Sequence, residues 1–201
     1  MSNLQFVDLK KFNNNTTDAD FDGIFKNHIS SLSNLHWTPL KVARKAAEWL
    51  SIDDNSKILD IGSGIGKFCF IGALTTKAEY TGVEQRKNLV KISNKVIKQN
   101  KISNTKFVND NFINIDFDNY TGFYLYNPFW ENISNDQLID NKIATSIDLY
   151  EEYNKILSLK LTALKPGTLV VTYLMKEENI PISFSIFRHD FERNLILWKK
   201  N

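Results

Sequence analysis

Ile58-Leu59-Asp60-Ile61-Gly62-Ser63-Gly64-Ile65-Gly66 is the stretch on which the reading of this chain turns. The apolar run Ile58 to Ile61 reads as a buried strand, and a helix through Phe70, Ile71 and Leu74 follows the glycines. Lacking side chains, the glycines let the backbone bend sharply and come close to a ligand. Strand, glycine turn and helix in this order open a nucleotide-binding unit. Dinucleotide folds space the glycines G-x-G-x-x-G and seat a pyrophosphate on the helix N-terminus. Here Gly66 comes one residue early, and Asp60 stands two residues before the first glycine. A carboxylate is unfavourable beside a pyrophosphate and favourable beside a ligand that carries positive charge.

The flanking segments repeat the alternation. Upstream, Thr38-Pro39 predicts a helix start, with Thr38 as cap and Val42, Ala43, Ala46, Ala47 and Leu50 on one face. Residues 1–35 have weak periodicity; Asn13 to Asp18 reads as a loop, and the segment as an N-terminal extension with short helical pieces and a candidate substrate lid. Downstream, strands are predicted near Tyr80–Glu84, Lys106–Asn109, Phe123–Tyr126 and Thr168–Tyr173. A helix places Leu89, Ile92, Val96 and Ile97 inward, and a longer one runs from Ser146 to Leu164. Residues from Phe129 to Ala144 read as irregular. Two alternating runs, Ile182–Ile186 and Leu195–Trp198, predict a closing antiparallel hairpin, with room for only a turn between Met175 and Pro181. The pattern is an α/β fold: a three-layer, mostly parallel sheet, with residues 36–201 as its one domain. Such sheets bind ligands at the carboxyl ends of their strands, where strand order reverses.

Composition narrows the class. At 201 residues, 42% hydrophobic, the chain suits one compact domain. A net charge of +2 is no general attraction for nucleic acid. The basic stretch from Arg86 to Lys106 reads as the solvated face of a helix. No apolar run reaches bilayer length, and the N-terminus lacks the pattern of a signal peptide. The single cysteine, Cys69, has no metal-ligand neighbours in sequence, so neither a metal nor a disulfide is expected, and a cytoplasmic setting is. His28 and His189 lack partners at useful spacing.

Four motifs in order carry chemistry. The glycine turn with Asp60 is the first. The second is Glu84, about 20 residues on with Gln85 beside it, placed like the strand-end acid that binds ribose hydroxyls in dinucleotide folds. Asn109-Asp110-Asn111-Phe112 after the third strand is the next, and Tyr126-Asn127-Pro128-Phe129-Trp130 closes the fourth. Together they resemble the class I (Rossmann-like) methyltransferases that use S-adenosylmethionine (SAM). The last motif is similar to the [DNS]-P-P-[YF] signature of amine-directed enzymes, with Phe129 replacing the second proline and Trp130 in the aromatic place. The same landmarks resemble the non-SET histone-lysine methyltransferases, whose corresponding strand ends in an Asn followed by aromatics.

That resemblance implies SAM as cofactor, held by Asp60, Gly62, Ser63, Gly64, Gly66, Glu84, Gln85, Asp110, Asn111, Phe112 and Asn127. It further implies that Asp110 bonds the adenine amine and Phe112 covers the ring. Thr38, in His36-Trp37-Thr38-Pro39, resembles a residue that touches the methionine end. Asn127, Pro128, Phe129 and Trp130 are implied as the catalytic group, holding and stacking a planar amine. Glu131 reads as a solvated loop acid that could orient an amine. The expected activity is methylation of a nitrogen, with a protein acceptor favoured over nucleic acid or a small molecule. An oxidoreductase and a SAM-binding module without catalysis are the alternatives from other classes.

Overall fold

The computed structural model describes residues 8–13, 15–25, 27–134 and 138–201, with the side chains of Asn27 and His28 left aside. In chain order the elements are α1 (Asp18–Asp22), α2 (Asn27–Ser30), α3 (Ser33–His36), α4 (Leu40–Leu50), β1 (Lys57–Ile61), α5 (Lys67–Thr75), β2 (Glu79–Glu84), α6 (Lys87–Asn100), β3 (Thr105–Asn109), β4 (Gly122–Tyr126), α7 (Ile147–Ala163), β5 (Leu169–Tyr173), β6 (Phe184–Asp190) and β7 (Leu195–Lys200). The strands form a 7-stranded sheet in the order β3-β2-β1-β4-β5-β7-β6. β1 to β5 run parallel, and β7 pairs antiparallel with both β5 and β6. Strand order reverses between β1 and β4, the position at which such sheets hold ligands.

Alternation along each strand builds the layers, because successive side chains point to opposite faces. Ile58, Tyr80, Phe107, Tyr124 and Val171 enter a core with α4, α5 and α6. Leu59, Ile61, Val83, Phe123, Leu125, Val170 and Ile196 enter a second core with Leu157, Leu161 and Leu164 at α7. The three-layer expectation holds, and the second face is thin: a 3-10 turn, Glu177–Asn179, stands between β5 and β6. The closing hairpin forms, but its first strand begins at Phe184, and Ile182 lies fully exposed before it.

The N-terminal segment is bound into the first core through Leu9, Phe21, Ile24, Phe25 and Ile29. Lys67, 2% exposed, fastens it: its Nζ lies 2.6 Å from Asp18 and 3.1 Å from Asp22, and donates to Ser33 Oγ at 3.3 Å. Asp18, expected in a loop, starts α1. It also corrects the expected cap of α4. Asp18 Oδ1 accepts from the Leu40 amide at 3.0 Å, while Thr38 lies outside the helix with its hydroxyl 2.9 Å from that of Tyr124.

Candidate functional site

The tips of β1 to β5 surround one cavity of about 470 Å³, inside the range of roughly 300–1,000 Å³ typical of small-molecule sites. The glycine turn forms its floor. Gly62, Gly64 and Gly66 have φ of 75°, 55° and 84°, the left-handed region that residues with a Cβ enter at a cost. The Gly62 and Ser63 amides both donate to Val83 O at 3.0 Å, which folds the turn over the end of β2. A Cβ on Gly62 would stand 3.1 Å from Pro128 Cβ, so the turn and the motif after β4 are in direct apposition.

Glu84 faces the turn. Its Oε2 accepts from the Gly64 amide at 3.1 Å and its Oε1 from the Arg86 amide at 2.7 Å. Burial raises its carboxyl pKa, opposed by the Arg86 amide and guanidinium and by the Gly64 amide. Asp60 is 4% exposed and lies beneath the turn, outside the cavity lining. Burial pushes its carboxyl up to about 7; a hydrogen bond from the Cys69 thiol opposes the rise and the Glu84 charge adds to it. Ser63 Oγ is buried without a hydrogen-bond partner.

After β3, Asp110 and Phe112 line the cavity. Asp110 Oδ1 accepts from the Asn111 amide at 2.7 Å and from Asn114 Nδ2 at 2.8 Å. Asn111 donates to Tyr153 Oη at 3.1 Å and to Gln85 Oε1 at 3.4 Å. Gln85 is part of the lining, but Asn111 supports the wall from behind it. Phe112 packs against Phe129 with ring centroids 5.0 Å apart, so Phe129 is a buried wall residue. Trp130 is 45% exposed and is the free aromatic of the motif. Asn127 has φ of 35°, a strained value for a residue with a side chain. Such outliers cluster where geometry serves a site.

Of the residues expected to act together, Gly62, Gly64, Glu84, Gln85, Asp110, Phe112, Asn127, Pro128, Phe129 and Trp130 line this one cavity. Thr38 does not, being held by Tyr124. Gly66 caps α5 and serves packing instead. Two sequence readings need correction. Arg86 is 6% exposed, not solvated, because its guanidinium donates to both oxygens of Glu131, at 3.0 and 2.9 Å, and to Asp140 at 3.1 Å. Glu131 is accordingly the half-buried partner of that fork and not a loose loop acid. His36 and Tyr126 also line the cavity, and sequence reasoning gave His36 no separate role. Burial holds the His36 imidazole below the usual histidine value, while Glu131 pulls the other way. His28 lies outside the described side chains, and His189 is exposed on β6. Among the described residues no group of His, Cys, Asp and Glu is arranged to hold a metal, and no helix is long and apolar enough to cross a membrane.

The residues present suit an adenosyl ligand: carboxylates at the tips of β2 and β3 can accept from hydroxyls and an amine. Val83 and Phe112 are apolar walls, and the glycines leave room for close approach. Solved structures share the fold. The RNA methyltransferase of Salinibacter ruber, solved with S-adenosyl-L-homocysteine, is 21% identical with a TM-score of 0.57, over 81% of this chain and 91% of that one. TrmN from Thermus thermophilus is 13% identical with a TM-score of 0.63, over 86% of this chain and 52% of its own. A putative methylase from Haemophilus influenzae is 18% identical with a TM-score of 0.55, over 79% and 88%. A search of curated protein sequences found no match. Residues 52–199 match the methyltransferase domain family. The chain therefore belongs to that family and is a class I SAM-dependent methyltransferase.

Proposed function

We propose that this enzyme methylates a nitrogen of a protein side chain, lysine or amide. The charge of the cavity carries the reading. Its lining holds the carboxylates of Glu84, Asp110 and Glu131 against one guanidinium, Arg86, whose donors are taken up by Glu131 and Asp140. Nucleic-acid affinity comes mainly from cations that neutralise phosphates. Among the described lining residues no cation is left for that work, as the Arg86 guanidinium is paired with Glu131 and Asp140. The fold neighbours include the RNA methyltransferase of Salinibacter ruber and TrmN; RNA is the outcome against which the test below discriminates.

When bound, SAM supplies an electrophilic methyl on a sulfonium. In this reading Glu84 accepts hydrogen bonds from its ribose, Asp110 from its adenine amine, and Phe112 covers the ring. Gly62, Ser63 and Gly64 admit the amino-acid end, with Asp60 as the buried acid beneath them, and Gln85 and Asn111 keep the adenine side in place. Asn127 and the Pro128 carbonyl hold the acceptor nitrogen with its lone pair directed inward, while Phe129 and Trp130 bound its plane. Alignment and exclusion of water are the main contributions such a site makes to a displacement. His36 lines the same cavity, with burial holding its imidazole below the usual histidine value. Of the described residues in the 1–35 segment, Asn34 and Leu35 line the cavity and stand on its acceptor side. Incubating cell lysate with tritiated SAM and separating protein, RNA and DNA tests the proposal. Label in protein, released as methylated lysine or amide, is expected; label confined to RNA or DNA overturns it.

A further inference from the structure

We infer that Arg86 is a positioning residue that ties the acceptor-side wall of the cavity to the cofactor acid Glu84. The inference rests on the methyltransferase reading of the cavity. Arg86 stands two residues after Glu84 and gives that carboxylate its own backbone amide at 2.7 Å, with its Nη1 3.9 Å from Glu84 Oε1. The same side chain crosses to two segments far along the chain. Nη1 and Nη2 donate to Glu131, one residue past the Asn127–Trp130 motif, and Nε donates to Asp140. Glu131 Oε1 then accepts from the Ile139 amide at 2.7 Å, and Ile139 lines the cavity. Guanidinium is suited to this because its planar fork engages one carboxylate with two parallel bonds and still has Nε to spare.

Among the described residues, the hydrogen bonds from 138–145 to the rest of the chain run through Arg86 and Glu131. Ile139, Ile143 and Thr145 on that segment all face the cavity. Any ligand that engages Glu84 therefore touches a group shared with the anchor of the opposite wall. Coupling of this kind requires contacts that differ between the free and bound states. Here the contact that differs is the added donor on Glu84, and the element that responds is the Glu131–Asp140 wall.

Amide hydrogen exchange on the full chain, with and without S-adenosyl-L-homocysteine, tests this in wild type, Arg86→Lys and Glu131→Gln. Local exchange reports the opening of a segment, and a bond to a charged group is worth about a ten- to hundredfold change in that opening. In wild type, ligand is expected to slow exchange at 138–145. Both variants should exchange there about ten- to hundredfold faster and lose most of the ligand-induced slowing, while the β1–β3 amides keep wild-type protection. Lysine keeps the charge but not the fork, so a wild-type result for Arg86→Lys overturns the geometric argument. Glu131→Gln leaves Arg86 its bond to Asp140; if its 138–145 amides slow with ligand as in wild type, the coupling is refuted. A wild type that binds no S-adenosyl-L-homocysteine would sink the cofactor reading instead, and the ligand-free rates would still decide whether Arg86 holds the wall.

Discussion

The ring of Phe107 occupies the space that two glycines leave open, which makes the packing under the cofactor turn measurable. A Cβ on Gly66 would lie 2.0 Å from Phe107 Cζ, and one on Gly82 would lie 2.6 Å from the same ring. Phe107 has little freedom to retreat, since Phe70 packs against it with centroids 5.3 Å apart. Gly82 has ordinary φ, so Gly82→Ala meets overpacking alone, about 1–3 kcal/mol. Gly167 has φ of 88° with nothing within 4 Å, so Gly167→Ala meets backbone strain alone, about 1–2 kcal/mol. Gly66→Ala, at φ of 84° and against the ring, combines both and should lose about 2–5 kcal/mol. Urea unfolding followed by circular dichroism gives the ranking, provided the slopes agree among variants. In a Phe107→Ala background the ring is gone and the Gly82→Ala penalty should fall, leaving only the 2.7 Å approach of the new Cβ to Ser63 Oγ, a non-additivity expected of residues in contact. Equal losses for Gly66→Ala and Gly167→Ala, or a Gly82→Ala penalty undiminished in the Phe107→Ala background, would show that the ring does not set the cost.

Other consequences are as open to measurement. Because burial lifts the Asp60 carboxyl from 3.8 to about 7 in the folded protein, the folded state holds a proton there that the unfolded chain releases, and stability falls as pH rises through that interval. Glu84 adds in the same direction. Asp60→Asn should flatten the profile, raising the urea midpoint at pH 7.5 relative to wild type more than at pH 4; an unchanged slope between these pH values would contradict it. Glu84→Gln replaces one acceptor oxygen by a donor, so calorimetry should find S-adenosyl-L-homocysteine bound about ten- to hundredfold more weakly; a change under twofold would remove Glu84 from the cofactor. Trp130→Ala should alter stability by no more than about 0.5 kcal/mol, as exposed positions do. Tritium transfer to protein should nonetheless fall at least about tenfold as the acceptor loses its stacking partner. Wild-type transfer rates in Trp130→Ala would remove the aromatic from the acceptor side.

Much of the fold was legible because its signals are local. The apolar runs Ile58–Ile61 and Phe123–Tyr126, helical spacing from Val42 to Leu50 and the glycine turn each depend on residues a few positions apart. The elements they predict stand within a residue or two of those observed. Reading failed where a long-range contact overrode a local one. Thr38 before Pro39 has the form of a cap, yet its hydroxyl goes to Tyr124 across the core and an aspartate 22 residues upstream caps the Leu40 amide. Ile182 fits an alternating run by spacing, but β7 offers register only from Phe184 to Asp190, and Ile182 is left in solvent.

The site divides along the same line. Residues at strand tips converge wherever the sheet is parallel, since every tip meets at one edge. Glu84, Asp110 and Asn127 could thus be placed from their strands alone. Arg86 could not. In sequence it heads a run of lysines on α6, where Lys87, Lys91, Lys95 and Lys98 are indeed exposed, and period alone assigns it to their company. What separates it is the position before the helix begins, as the residue preceding Lys87, together with acids 45 and 54 residues away. No spacing rule reaches that far. A buried arginine must be paired, because an unpaired buried charge is far costlier than any solvated one. That side of the cavity therefore depends on a residue whose partners only the folded chain reveals, whereas the floor depends on glycines that announce themselves.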